Sequence, residues 1–122
     1  ELIEKCINGI IDGQNKDGSW PYNLSRRYMG KDCKGTSVIG LVLIRWYRYS
    51  NHKRNILISC KAAENWCEEN TALSGPETGM IFSYSFEGAV VHSPYTTTAL
   101  VYASAYALEL KKELESIYDT TK

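Results

Sequence analysis

The sequence has neither an excess of charge of one sign nor a long hydrophobic run. Its 14 basic residues are balanced by 14 acidic ones, and no stretch carries a run of like charge. A dedicated nucleic-acid binder usually shows a basic stripe, and a polybasic membrane anchor shows a basic cluster. The longest apolar run, Val38 to Ile44, is far too short to cross a bilayer. We therefore expect no nucleic-acid partner and no membrane span.

Cysteine pairs with the spacing of metal or redox sites are also missing. The four cysteines contain no Cys-x-x-Cys pair: Cys6, Cys33, Cys60 and Cys67. Cys60 and Cys67 lie near one helix face but two turns apart, which is too far for a disulfide within that helix. Reduced, mostly buried thiols in a cytoplasmic protein are the simpler interpretation. A disulfide or metal framework is the alternative.

The chain does not open with Met. Its first residue is Glu1, and a helical pattern starts immediately with Leu2 and Ile3. We therefore expect a fragment of a longer chain, so a missing signal peptide carries no information. The 122 residues are about the size of one modest domain.

Two amphipathic segments have the three- and four-residue apolar spacing of a helix with one buried face. The first ends at Gly13, a natural helix stop, and its apolar stripe is Leu2, Ile3, Cys6, Ile7, Ile10 and Ile11. The other begins near Ile56 and fades at Asn70, with the stripe Ile56, Leu57, Cys60, Ala63, Trp66 and Cys67. We expect Lys61, Glu64 and Glu68 to lie opposite or beside that stripe.

Two further segments are apolar on nearly every side, which is typical of helices enclosed by other elements. Thr36 or Ser37 can cap the one that contains residues 38–44. Ser93-Pro94 can open the other, which is apolar over residues 96–110 and continues into a solvated segment at 111–115. Between the second amphipathic helix and this one, residues 80–86 alternate, so a short β-hairpin near residues 80–91 is predicted.

The two halves of the chain share one plan. In each half an amphipathic helix is followed by an aromatic extended piece, a polar loop and an apolar helix; Trp20-Pro21-Tyr22 aligns with Phe82-Ser83-Tyr84. We predict an all-α fold of two αα-hairpins, with one repeat at about 1–54 and the other at about 55–122. Two hairpins leave the apolar helices partly bare, so the expected partner is the rest of the same chain or a second subunit.

The pattern Gln14-x-x-x-Gly18-x-Trp20 resembles the Gln-Trp motif of the squalene/terpene cyclase and protein prenyltransferase superfamily. That motif joins helices of an α/α toroid. Ile10 fits the aliphatic position before the Gln, whereas Gly9 stands where the family has an aromatic residue, and the second copy is degenerate. The same turn also resembles turns of α/α-toroid carbohydrate enzymes, such as polysaccharide lyases and unsaturated glucuronyl hydrolases.

The resemblance implies structural roles for Gln14, Asp17, Gly18 and Trp20. The Gln is expected to bond backbone at a helix end, and the Trp to pack on the next helix. The loops at 22–35 and 84–95 would then face the concave side, where toroids hold their substrates. Candidate catalytic residues in these loops are Asp32, Glu87 and His92, and candidate aromatic walls of a substrate site are Tyr22, Tyr84 and Tyr95.

Asp32 and Glu87 could act as an acid/base pair on a glycan, and His92 as a general base. Asp32, Cys33 and His92 are also residue types that bind zinc in prenyltransferases. They are scattered and do not reproduce the family's spacing, so we predict no metal and no cofactor. The Asp-x-Asp-Asp motif of squalene cyclases and the Asp-Asp-x-x-Asp motif for magnesium diphosphate are both missing.

Three functional hypotheses follow, and the sequence leaves open whether the chain is catalytic. In the first, the chain is part of a prenyltransferase- or cyclase-like toroid that binds an apolar or ring-bearing substrate. In the second, it belongs to a carbohydrate-active toroid of the lyase or glycosidase type. In the third, it is a non-catalytic repeat that offers a concave surface to another protein.

Overall fold

The residues that the computed structural model of the protein describes are 2–20, 33–71 and 94–120, and most of them lie in α-helices. The helices are α1 (Leu2–Asp12), α2 (Cys33–Trp46), α3 (Lys53–Glu69) and α4 (Pro94–Thr120), and a short 3₁₀ turn, Tyr47–Tyr49, follows α2. The predicted all-α class is confirmed. The β-hairpin predicted near residues 80–91 lies outside the described residues.

Helix α1 is buried only along its C-terminal half. Ile7 is buried and Ile10 and Ile11 are half-buried, whereas Leu2 is 75% and Ile3 50% exposed. The prediction of one continuous buried stripe is therefore wrong for the first turns. The reason is that the N-terminal half of α1 meets the polar connection at 50–52, where the Glu4 carboxylate accepts hydrogen bonds from Ser50 and Asn51.

Helix α2 begins at Cys33, upstream of both predicted caps. Thr36 and Ser37 are buried inside the helix, and the Thr36 hydroxyl accepts a hydrogen bond from the Trp20 backbone N–H, at 2.9 Å. The Thr36 hydroxyl therefore bonds the backbone of the turn that precedes α2 and does not cap the helix. The apolar helix is not enclosed on every side here: Val42 is 58% exposed, whereas Leu41, Leu43 and Ile44 are buried.

Helices α2 and α3 form an antiparallel hairpin around a short connection. Near the middle of both helices, the Cys60 thiol donates to the Gly40 carbonyl at 3.3 Å. Helix α3 starts at Lys53 rather than near Ile56, since the Ile56 N–H already bonds the His52 carbonyl in the helical pattern. At the other end, the Asn70 side chain donates to the Trp66 carbonyl at 2.8 Å, as expected for a helix that ends there.

Helix α4 continues well beyond the apolar stretch predicted for it. It spans 27 residues, because Leu110, Leu114 and Ile117 all pack into the same core. Residues 111–115, predicted as a solvated face at the end of this helix, lie within it, and Leu114 among them is buried. Leu114 is buried between charged neighbours, which the apolar spacing of Leu110, Leu114 and Ile117 explains.

The hydrophobic core lies around α2, which packs against both α3 and α4. Helix α1 runs along α3 in the same direction, because Glu4 meets Asn51 just before α3 while Gln14 meets Ser59 within it. The predicted boundary between the repeats, after residue 54, falls in the first turn of α3, and the repeat itself stays a prediction. Within the described ranges, no helix has the length and hydrophobicity needed to cross a membrane.

Candidate functional site

The turn that follows α1 is closed by its own hydrogen bonds. The Asn15 N–H donates to the Ser19 carbonyl at 2.8 Å, and the Gln14 amide donates to the Gly18 carbonyl at 2.8 Å. The Asp17 carboxylate accepts from both the backbone N–H and the hydroxyl of Ser19, at 3.1 and 2.7 Å. The turn is therefore a preformed unit rather than a loose connection.

This turn docks onto the middle of α3. The Gln14 side chain donates to the Ser59 carbonyl at 2.9 Å and accepts from the Ser59 hydroxyl at 2.7 Å. Gly18 has a φ of 100° and lies so close to α3 that a Cβ there would overlap the Ala62 carbonyl. Only glycine fits this position, because the backbone conformation and the close approach both exclude a side chain.

Trp20 fastens the end of the turn to α1 and α2. Its side chain is completely buried, and its indole N–H donates to the Ile10 carbonyl at 2.8 Å. Ile10 lies in the last turn of α1, where carbonyls lack the usual i+4 partner, and its carbonyl also accepts from the Gly13 N–H at 3.1 Å. The helix end is thus bonded by Trp20, whereas Gln14, expected to bond such an end, reaches the interior of α3.

The candidate catalytic residues Asp32, Glu87 and His92 lie outside the described residues, as do Tyr22 and Tyr84. Tyr95 belongs to the first turn of α4, for which the backbone alone is described. The acid/base and substrate-wall assignments therefore remain predictions. In the part of the chain that the structure describes, no group of three or more His, Cys, Asp or Glu side chains could hold a metal ion.

A cleft of about 230 Å³ lies between α3 and α4. Its lining includes Glu64, Cys67, Glu68, Ser104, Leu108 and Lys111. The Glu64 side chain is only 5% exposed and pairs with Lys61 at 3.2 Å. At the rim, Lys111 pairs with Glu68 at 3.6 Å, and both of these side chains are about half exposed.

Sequence reasoning missed Glu64, which it placed outside the buried stripe of its helix. A usable signal was its position, one turn after Cys60 and one turn before Cys67, both of which are buried. Residues at these spacings share a helix face, so a carboxylate between two buried cysteines should have been recognised as facing inward. Nearby, burial raises the pKa of the Cys60 thiol to about 12, so Cys60 is a core residue and not a nucleophile.

Helix α4 also presents an apolar face to solvent. Val101, Tyr102 and Leu108 are each slightly more than half exposed. Val101 and Leu108 share one helix face with exposed Ala105, and Tyr102 lies beside that face. The rings of Tyr102 and Tyr106 stack with centroids 6.4 Å apart. Contiguous exposed apolar surface of this kind is typical of binding faces.

The chain matches no protein-family model, no curated protein and no solved structure at a significant level. The resemblance of the turn to the Gln-Trp motif therefore rests on the sequence of the turn alone.

Proposed function

We propose that this chain forms two neighbouring hairpins of an α/α toroid of the prenyltransferase and terpene cyclase type. The observation that carries the proposal is the reciprocal pairing of Gln14 with Ser59. It fixes the turn after α1 on α3 and makes these two helices parallel neighbours. In a toroid, the outer helices of consecutive hairpins have this relationship, and the inner helices then correspond to α2 and α4.

The ligand we propose is an apolar isoprenoid. The exposed face of α4 supports this choice, because Val101, Tyr102 and Leu108 form an apolar and aromatic surface. An isoprenoid chain offers apolar surface of matching character, and its burial there would stabilise the complex by roughly 25 cal/mol per Å² of apolar area removed from water.

Titration of the protein with farnesyl diphosphate, followed by amide chemical shifts, tests this proposal. We expect saturable shifts along α4 and weaker binding by Val101→Ser. Ile58→Ser is the matched control, because Ile58 is an equally exposed aliphatic residue on α3. Binding that is absent, or that both variants weaken equally, would remove the isoprenoid assignment.

The same titration separates the two alternatives. Saturable binding of an oligosaccharide without binding of farnesyl diphosphate would favour the carbohydrate-active toroid. In that case Glu87→Gln should abolish turnover, because Glu87 would supply the acid or base. If neither ligand binds and no turnover is found, the non-catalytic repeat is the remaining function.

A further inference from the structure

The α3–α4 cleft contains a carboxylate that is withdrawn from solvent yet only partly neutralised. The Glu64 side chain is 5% exposed, and its Oε2 lies 3.2 Å from the Lys61 ammonium. Lys61 itself is about half exposed, so this pair lies at the boundary between the helix interior and water. A carboxylate can accept about four hydrogen bonds, and Lys61 supplies one of them.

The second carboxylate oxygen of Glu64, Oε1, keeps accessible surface. Among the described residues, Glu64 makes no hydrogen bond besides the one from Lys61, and none of their buried side-chain oxygens lacks a partner. Oε1 is therefore not fully buried, and Glu64 lines the cleft. A buried anion with a free acceptor attracts cationic donors strongly, because a charged hydrogen bond gains strength where water is scarce.

The rest of the cleft suits a small ligand with a short apolar part. Leu108 and Ala107 supply apolar surface, and Ser104 lies among the lining residues on the same helix. Lys111 also lines the cleft, and Glu68 holds its ammonium group at the rim at 3.6 Å. The cavity volume, about 230 Å³, is below that of drug-sized pockets, which typically have about 300–1,000 Å³.

We propose that the α3–α4 cleft is a binding site for a small ligand that carries a primary ammonium group. The ammonium donates to Oε1 of Glu64, and the carbon chain of the ligand lies against Leu108. A carboxylate ligand is disfavoured because it has no proton to donate to the Glu64 oxygen. This site shares Leu108 with the isoprenoid face. The two sites differ in that only the ammonium site depends on Glu64.

The test is a titration with n-butylamine at neutral pH, where it is protonated, followed by amide chemical shifts. n-Butanol and butyrate serve as probes of similar length that are neutral and negatively charged. We expect saturable shifts centred on residues 64–71 and 104–111 with butylamine alone. Equal responses to butylamine and butanol, or shifts that do not saturate, would overturn the proposal.

Two variants that act in opposite directions sharpen the test. Glu64→Gln keeps the shape but removes the charge, and should weaken butylamine binding about tenfold or more. Lys61→Met removes the competing ammonium and should strengthen binding, which general damage to the fold would not do. Glu115→Gln is the control, because Glu115 is exposed on α4 and does not line the cleft.

The outcomes are separable from those of the isoprenoid proposal. If Lys61→Met fails to strengthen binding, or Glu64→Gln binds as well as the unaltered protein, the ammonium site is refuted, whatever farnesyl diphosphate does. If Glu64→Gln does not fold, the comparison of the three probes and the Lys61→Met variant still decide the question.

Discussion

Gln14 and Ser59 bond each other in both directions across 45 residues of sequence. The Gln14 amide nitrogen donates to the Ser59 carbonyl at 2.9 Å, and its oxygen accepts from the Ser59 hydroxyl at 2.7 Å. The same nitrogen also donates to the Gly18 carbonyl at 2.8 Å. A primary amide is suited to this position because it offers a donor and an acceptor at one place.

Gln14→Ala should destabilise the protein by about 1–3 kcal/mol, because it removes bonds to partly buried carbonyls and leaves the Ser59 hydroxyl without this acceptor. Urea denaturation measures the change in the free energy of unfolding. Asn65→Ala, on the exposed side of α3, is the control and should change stability by less than about 0.5 kcal/mol. A loss no larger than in the control would show that the Gln14 contacts contribute little.

Backbone strain alone typically costs about 1–3 kcal/mol. Gly18→Ala should destabilise the protein by more than this, because the new Cβ would also overlap the Ala62 carbonyl. Gly9→Ala is a matched control, because nothing lies within 4 Å of a Cβ at that helical position. It should stabilise α1 by about 0.5–1 kcal/mol. Thermal unfolding of both variants checks the prediction, and similar melting temperatures would contradict it.

Trp20→Ala should cost about 3–5 kcal/mol, as expected for removing a fully buried aromatic side chain. Trp20→Phe keeps most of the ring and should cost less, about 1–2 kcal/mol, from the lost indole bond and a smaller cavity. The Ile10 carbonyl keeps a bond from the Gly13 N–H in both variants. Equal losses in the two variants, measured in urea, would show that ring packing is not what Trp20 contributes.

The alkaline stability of the protein should depend on Cys60. Burial raises the pKa of its thiol from 9.0 to about 12, so above pH 9 the unfolded state releases this proton while the folded state retains it. Stability is therefore unaffected below pH 9 and falls above it, by up to about 1.4 kcal/mol per pH unit. Unfolding of wild type and Cys60→Ala at several pH values isolates this slope. The exposed-thiol control Cys6→Ala should leave it unchanged.

Hydrophobic spacing predicted the helices well but predicted their surroundings poorly. The Gly13 stop and the end of α3 at Asn70 follow from local chemistry, and the structure shows both. The role of Thr36 was not predictable, because its hydroxyl bonds Trp20 from a distant turn and does not cap its own helix. Local propensity describes what a residue can do alone, whereas a tertiary contact decides what it does in the fold.

The candidate site shows the same contrast between local chemistry, which the sequence predicts, and tertiary contacts, which it does not. The turn from Gln14 to Trp20 was recognisable as a joint, yet its receiving residues on α3 were not, since Ser59 and Ala62 have no distinctive spacing. Glu64 was predicted to lie opposite or beside the apolar stripe, whereas it is buried together with Cys60 and Cys67. The predicted roles of Asp32, Glu87 and His92 concern residues outside the described ranges and stay predictions.

A double-mutant cycle of Gln14→Ala and Ser59→Ala tests most directly the central claim that the turn joins α1 to α3. Ser59→Ala removes the hydroxyl that donates to Gln14 but keeps the carbonyl that accepts from it, so the cycle measures the hydroxyl bond. The claim predicts that the second substitution costs less once the first has been made. The expected coupling is at least about 1 kcal/mol in the free energy of unfolding. Additive effects, within about 0.5 kcal/mol, would contradict the hydroxyl bond and with it the reciprocal pairing on which the proposed arrangement of neighbouring hairpins rests.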